Sequence, residues 1–271
     1  MFAKLLPTKK IVLPNGKVVE EERSGSPFFI LLFVVFFYIS IQITGFDLQI
    51  LIKRIGQFFV IIQEMASPTW AYFPHIWKPL LDTIKMSLLG SLLGAVCALP
   101  VAILAASNIT KTKWISLTSK LLLSLLRTLP TLIVALIATY IFGLGTVAGT
   151  VAIYLFTIAY VGKLLYEQIE NANMDAYEAM NSMGLTTIQS FRYAIFPQIL
   201  PNYLSTSLFC FEGNVRYAAI LVYVGAGGIG LLLNESLGWR NYANVGMILL
   251  SLMVVVFMIE SISDYYRKKL K

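Results

Sequence analysis

The chain has 271 residues, of which 58% are hydrophobic and 13% charged, against about 45–50% and 25% in ordinary soluble domains. That excess excludes a soluble globular domain, because the apolar residues fall in blocks longer than the roughly 18 residues that mark a membrane-spanning helix. Net charge is +7, with one histidine and two cysteines; Cys97 and Cys210 lie in apolar runs, so neither a disulfide framework nor a thiolate metal site is indicated.

Residues 1–27 form a tail that carries Lys4, Lys9, Lys10, Lys17 and Arg23 together with Glu20, Glu21 and Glu22. It is longer and more polar than the n-region of a signal peptide, so the first apolar block reads as a retained anchor and residues 28–271 as one transmembrane domain. The first span covers about Phe28 to Phe46. An amphipathic helix over about residues 47–64 follows, with Leu48, Leu51, Ile52, Ile55, Phe58, Phe59 and Ile62 on one side and charged residues on others, the pattern of a helix lying in the interface. Trp70, Tyr72 and Trp77 then suit the headgroup boundary.

The second span runs from about Leu80 to Ser107. Gly90 and Gly94 are spaced for close helix approach in lipid, and Pro100 is expected to kink the helix. A basic loop with Lys111, Lys113 and Lys120 leads to a third span from about Leu121 to Phe142 through Arg127 and Pro130. After Gly143-Leu144-Gly145, a fourth span ends near Tyr166. A polar stretch over about residues 167–198 separates it from a fifth span, about Ile199 to Val224. A glycine-rich segment and a polar loop through Arg240 precede the sixth, about Ala243 to Ile262. The basic tail, the Lys111 loop, the Lys163–Arg192 stretch and the terminal Arg267, Lys268, Lys269 and Lys271 hold most loop cations, which places both termini in the cytoplasm. The expected fold is thus all-α and polytopic, with about six transmembrane helices.

Within the polar stretch, Asp175, Glu178 and Ser182 share one helical face while Met174, Tyr177 and Met180 share another. Gly184 stands where a helix-ending glycine belongs, and Thr186 with Gln189 has capping-box spacing for a second helix. Glu178-Ala179-Met180, three residues, Gly184, then Phe196-Pro197 resembles the E-A-A-x-x-x-G cytoplasmic loop of ABC importer permeases, which ends in I-x-L-P. Met180 replaces the second alanine, and Ala194 and Phe196 stand at the isoleucine and leucine positions. Arg127-Thr128-Leu129-Pro130, Gly143-x-Gly145-x-x-x-Gly149, Glu167-x-x-Glu170, Phe211-Glu212-x-Asn214-x-Arg216 and Val224 to Gly230 are similar to phosphonate-importer permeases.

That resemblance implies a type I importer permease fold in the plasma (inner) membrane of a bacterium. It also implies partners: a dimer of cytoplasmic ATP-binding subunits, an extracellular or periplasmic substrate-binding protein, and a second permease copy or paralogue. Tyr177, Glu178, Ala179, Met180, Met183 and Gly184 would couple to the ATPase, where a carboxylate takes a charge-assisted bond from Arg or Lys. The cargo would be phosphonate or a related phosphorus oxyanion, phosphite or phosphate. Arg127, Pro130, Glu212, Asn214, Arg216, Gly225, Gly227, Gly228 and Gly230 are candidates for a translocation path or gate. For Glu212 and Arg216, a structural i,i+4 ion pair is the competing reading, and for Arg127 it is snorkelling at a helix end.

Gly225, Gly227 and Gly230 formally satisfy G-x-G-x-x-G but lack the strand–turn–helix setting that binds a dinucleotide. No G-x-x-x-x-G-K-[ST] occurs, so ATP hydrolysis belongs to a partner and no cofactor, metal or nucleic acid is expected. The alternative function is an ion-coupled secondary transporter or channel for a small anion that uses the Arg127, Glu212 and Arg216 charges directly.

Overall fold

The computed structural model describes residues 9–12, 16, 18–21, 26–221, 225 and 227–270. By internal contacts the chain divides into two units, Met1–Val60 and Ile61–Lys271.

The fold is all-α as expected, apart from one short hairpin that opens the first unit. Strands β1 (Lys9–Val12) and β2 (Val18–Glu21) pair antiparallel, with Lys10 opposite Glu20 and Lys9 opposite Glu21. Between the strands, Gly16 takes φ +75°. This is the only β-structure among the described residues. Helix α1 (Ser26–Thr44) is uncharged and apolar all round. Helix α2 (Leu48–Met65) follows at 66° to it, with no buried residue. Asp47 caps α2 by accepting from the Gln49 N–H at 2.7 Å.

In the second unit a 3₁₀ turn, Trp70–Tyr72, leads into α3 (Phe73–Ala105), which continues unbroken for 33 residues through Pro79 and Pro100. The third expected span is instead two helices. Helix α4 (Lys113–Thr128) and helix α5 (Thr131–Phe142) meet at 92°. Pro130 cannot donate a backbone bond and biases its predecessor toward extended geometry, and Leu129 and Pro130 take ψ 122° and 130°. Gly143 and Gly145, at φ +82° and +138°, turn the chain into α6 (Thr146–Glu170).

The α3–α6 pair is the spine of this unit. Gly90 lies against Ile153 and the Thr150 carbonyl, and Gly94 against Thr157 and the Tyr154 carbonyl. The small-residue spacing therefore does what it does in lipid, bringing two backbones together. Helices α7 (Asp175–Ser182) and α8 (Thr187–Ser190) form the polar connection, and a π-helical turn, Phe191–Ile195, feeds α9 (Phe196–Ala218). Pro197 has no N–H to continue an α-helical ladder, which suits a π turn there. Helix α10 (Ile229–Gly238) and helix α11 (Tyr242–Leu270) complete the unit.

Among the described residues, helices α3, α6 and α11 are each long and apolar enough to cross a bilayer, and counting each bent pair as one crossing gives up to five. The remaining expected crossing, the fifth in chain order, is α9, whose Gln198, Asn202, Glu212, Asn214 and Arg216 lower its apolarity although it packs on α3, α6 and α11.

Candidate functional site

The connection between α6 and α9 is held by local chemistry throughout. The Asn173 Oδ1 accepts from the Asp175 N–H at 2.8 Å, and Asp175 and Glu178 in the first turn of α7 complement its dipole. At the other end, the Leu185 N–H donates to Met180 O and the Gly184 N–H to Asn181 O, the paired bonds of a Schellman cap. Gly184 supplies the φ of +89° that this cap requires. Thr186 and Gln189 form the expected capping box at the start of α8.

Orientation separates the α7 residues. Tyr177 is only 6% exposed and packs with Ala102, Leu165, Ile169, Phe191 and Ile195, so it anchors the helix rather than presenting a surface, a correction to its expected role. Met180 leans on the same cluster. Glu178, Ala179, Met183 and Gly184 face outward, joined by Ile188 of α8, which is 80% exposed and was not singled out by the sequence. Gln198 at the head of α9 was also missed. Its amide accepts from the Asn173 N–H at 3.2 Å and donates to the Asn173 carbonyl at 3.1 Å, clasping the entry to α7.

Farther along α9, the expected Glu212–Arg216 pair is present but belongs to a larger network. Glu212, 4% exposed, accepts from Arg216 and, at 3.4 Å, from Arg267 of α11. Arg216 also lies 3.6 Å from Glu260, and Arg267 pairs with Asp264 and stacks over Phe209 at 5.6 Å. Arg267, expected in a terminal tail, is thus a helix residue tying α11 to α9. Arg216 is half exposed and lines a cavity of about 340 Å³ with Phe156, Tyr160, Cys210 and Tyr217.

Asn214 points elsewhere. Its amide donates to Ser91 of α3 at 2.8 Å and Thr157 of α6 at 2.9 Å, a buried knot joining three helices. Gly225 and Gly227 pack on the Leu144–Thr146 turn, where the Gly145 N–H donates to Gly225 O at 2.9 Å. Thr83 accepts from the Ile229 N–H at 2.8 Å, and a Cβ on Gly228, at φ +83°, would stand 2.6 Å from its Oγ1. Gly228→Val should therefore lower the melting temperature of the purified protein, costing roughly 1–3 kcal/mol in backbone strain before any clash. Gly230 is buried in α10. Arg127 is exposed in the last turn of α4, next to the Pro130 elbow, and no ion pair to it is present among the described residues. Among those residues no cluster of His, Cys, Asp and Glu has a metal-site arrangement.

Residues 98–271 match the family described as binding-protein-dependent transport system inner membrane component. A phosphite transport system permease protein of Stutzerimonas stutzeri is 31% identical over 83% of this chain and 82% of the relative. A phosphate-import permease protein of Mycolicibacterium smegmatis is 32% identical over 70% of this chain, which spans 36% of that relative. The inward-facing methionine ABC transporter superposes with a TM-score of 0.66 at 21% identity, covering 75% of this chain and 99% of the solved one.

Proposed function

This chain belongs to the binding-protein-dependent transport system inner membrane component family, and from that premise we propose that it carries a small phosphorus oxyanion, phosphonate, phosphite or phosphate, across a bacterial inner membrane. It is the permease subunit of an ATP-driven importer. It works with a pair of cytoplasmic ATP-binding subunits, an external substrate-binding protein and a second permease chain, with α9 as the fifth of six crossings and both termini inside. Its relatives' named cargoes support the choice of substrate.

The observation that carries the coupling role is the outward face of α7 and α8. A carboxylate, Glu178, stands among Ala179, Met183, Gly184 and Ile188, while Tyr177 and the Gln198 clasp hold the platform against the membrane helices. A partner Arg or Lys would donate a charge-assisted bond to the Glu178 carboxylate, and the small residues admit close contact. Closure of the ATPases then moves α7, and α9 with it.

Charged groups on spanning helices face water or protein rather than lipid. Arg216 in its aromatic cavity and Arg127 at the elbow therefore mark the faces turned toward the path or the second permease. The glycine contacts of Gly225, Gly227 and Gly228 form the outer gate.

Glu178→Arg, reconstituted with the ATPase and binding protein, should reduce ATP-dependent uptake at least about tenfold, the equivalent of a lost charge-assisted bond, while the protein still folds. Full uptake by the variant would overturn the coupling role, and uptake without any ATPase would overturn the importer reading.

A further inference from the structure

A groove of about 500 Å³ runs between α3, α9 and the last turns of α11, and neither Glu212 nor the exposed residues of α7 line it. Its walls are apolar side chains, among them Leu88, Leu92, Val96, Leu204, Leu208 and Phe211, and its far end is closed by Tyr266, Lys269 and Leu270. From Leu88 to Val96 the groove follows α3 for about 12 Å at 1.5 Å per residue, most of the hydrocarbon depth of one leaflet, about 15 Å.

The cationic end is unspent. Arg267 is held by Glu212 and Asp264. Lys268 and Lys269 are exposed and have no carboxylate partner among the described residues; the Lys269 ammonium lies 4.5 Å from the centre of the Tyr265 ring. A second, smaller recess lined by Ser205, Asp264, Arg267 and Lys268 adjoins the same turn of α11, its one carboxylate being the Asp264 already paired with Arg267. Hydrocarbon walls with the Lys269 ammonium in the lining and Lys268 in the adjoining recess complement a molecule that is anionic at one end and aliphatic along the rest. In a bilayer, basic residues between helices on the cytoplasmic side meet anionic headgroups.

We propose that this groove is a binding site for an anionic phospholipid of the cytoplasmic leaflet, one acyl chain lying along Leu88 to Val96 and the phosphate between Lys268 and Lys269. The lipid bridges α3, α9 and α11, and so braces the two helices that share Glu212. The test uses the full-length permease in complex with its ATPase, exchanged into nanodiscs of dioleoylphosphatidylglycerol or dioleoylphosphatidylcholine and then extracted, with retained lipid counted by native mass spectrometry. Phosphatidylglycerol should be retained in preference, and Lys268→Gln with Lys269→Gln should weaken that retention roughly tenfold to thirtyfold. Leu92→Trp, which fills the groove and leaves the lysines, should reduce retention of both lipids, and inorganic phosphate should displace neither. Equal retention of the two lipids, or retention unchanged in the double variant, overturns the proposal. So does a photo-crosslinker at Leu204 that reacts with a second permease copy or with the chain's own N-terminal span instead of lipid.

Discussion

Glu212→Ala should be the most damaging single substitution in α9. Glu212 is 4% exposed and is shared by Arg216 and Arg267, so its removal leaves two guanidiniums facing one another with no common counter-charge. Removing one partner of a fully buried ion pair costs about 3–5 kcal/mol, and the loss here should fall toward or below the lower end, because half-exposed Arg216 keeps Glu260 and Arg267 keeps Asp264. The melting temperature of the detergent-solubilised protein should fall accordingly, and uptake should be lost. Glu212→Gln keeps the shape but not the charge, and should lie between the two. The decisive control replaces Glu212, Arg216 and Arg267 together with methionine. Apolar substitution of buried charges together is often neutral or stabilising, and the Glu260 and Asp264 left behind are about half exposed, so the triple variant should regain most of the lost stability. If it stays as unstable as Glu212→Ala, the network is not what stabilises the α9–α11 contact. Recovered stability without uptake would assign the charges to transport.

The second large effect is expected at Gly94. A Cβ there would stand 2.6 Å from the Thr157 Cβ and 2.9 Å from the Tyr154 carbonyl oxygen. The carbonyl belongs to the α6 backbone and cannot rotate away, so Gly94→Ala must push α3 and α6 apart. Overpacking of this kind costs about 1–3 kcal/mol. Here it also pulls Thr157 from the Asn214 amide and loosens the contact at Gly90, so Gly94→Val should prevent recovery of folded protein. Gly213→Ala in α9 is the matched control, since its added Cβ would meet nothing closer than Tyr217 at 4.0 Å. Alanine favours a helix over glycine by about 1 kcal/mol, so that variant should melt at the same temperature or higher. Equal loss at both positions would remove the close-approach explanation.

What the sequence could show was local. The Gly90–Gly94 spacing, the Gly184 cap, the Thr186–Gln189 box and the Glu212–Arg216 pair all lie within a turn or two of helix, where spacing alone decides which side chains meet. Arg267 and Glu260 were beyond reach for the opposite reason. Arg267 is 55 residues from Glu212, and only the packing of α11 on α9 brings them together. Tyr177 was placed on the correct helix and given the wrong direction. The 3.6-residue period distinguishes the faces of an eight-residue helix without saying which one meets the body of the protein. The right-angled break between α4 and α5 had its signal in Leu129-Pro130, but a proline within an apolar run is compatible with either a kink or a turn. The β1–β2 hairpin also had a signal, Asn15-Gly16 between alternating apolar runs, in a tail read only for its charge.

An exposed polar connection between membrane helices is ordinarily where a membrane protein accepts a tag, a reporter or a few extra residues. The stretch from Asn171 to Gln198 is not such a place. It is pinned by the buried Tyr177 ring, the two-way amide clasp of Asn173 with Gln198, the Ser190–Asn181 bond at 2.9 Å and the Schellman cap at Gly184. One added residue would shift the register of all four at once. In length this segment is as constrained as a helix in the core, and insertions belong in the Lys111 loop or near Arg240 instead.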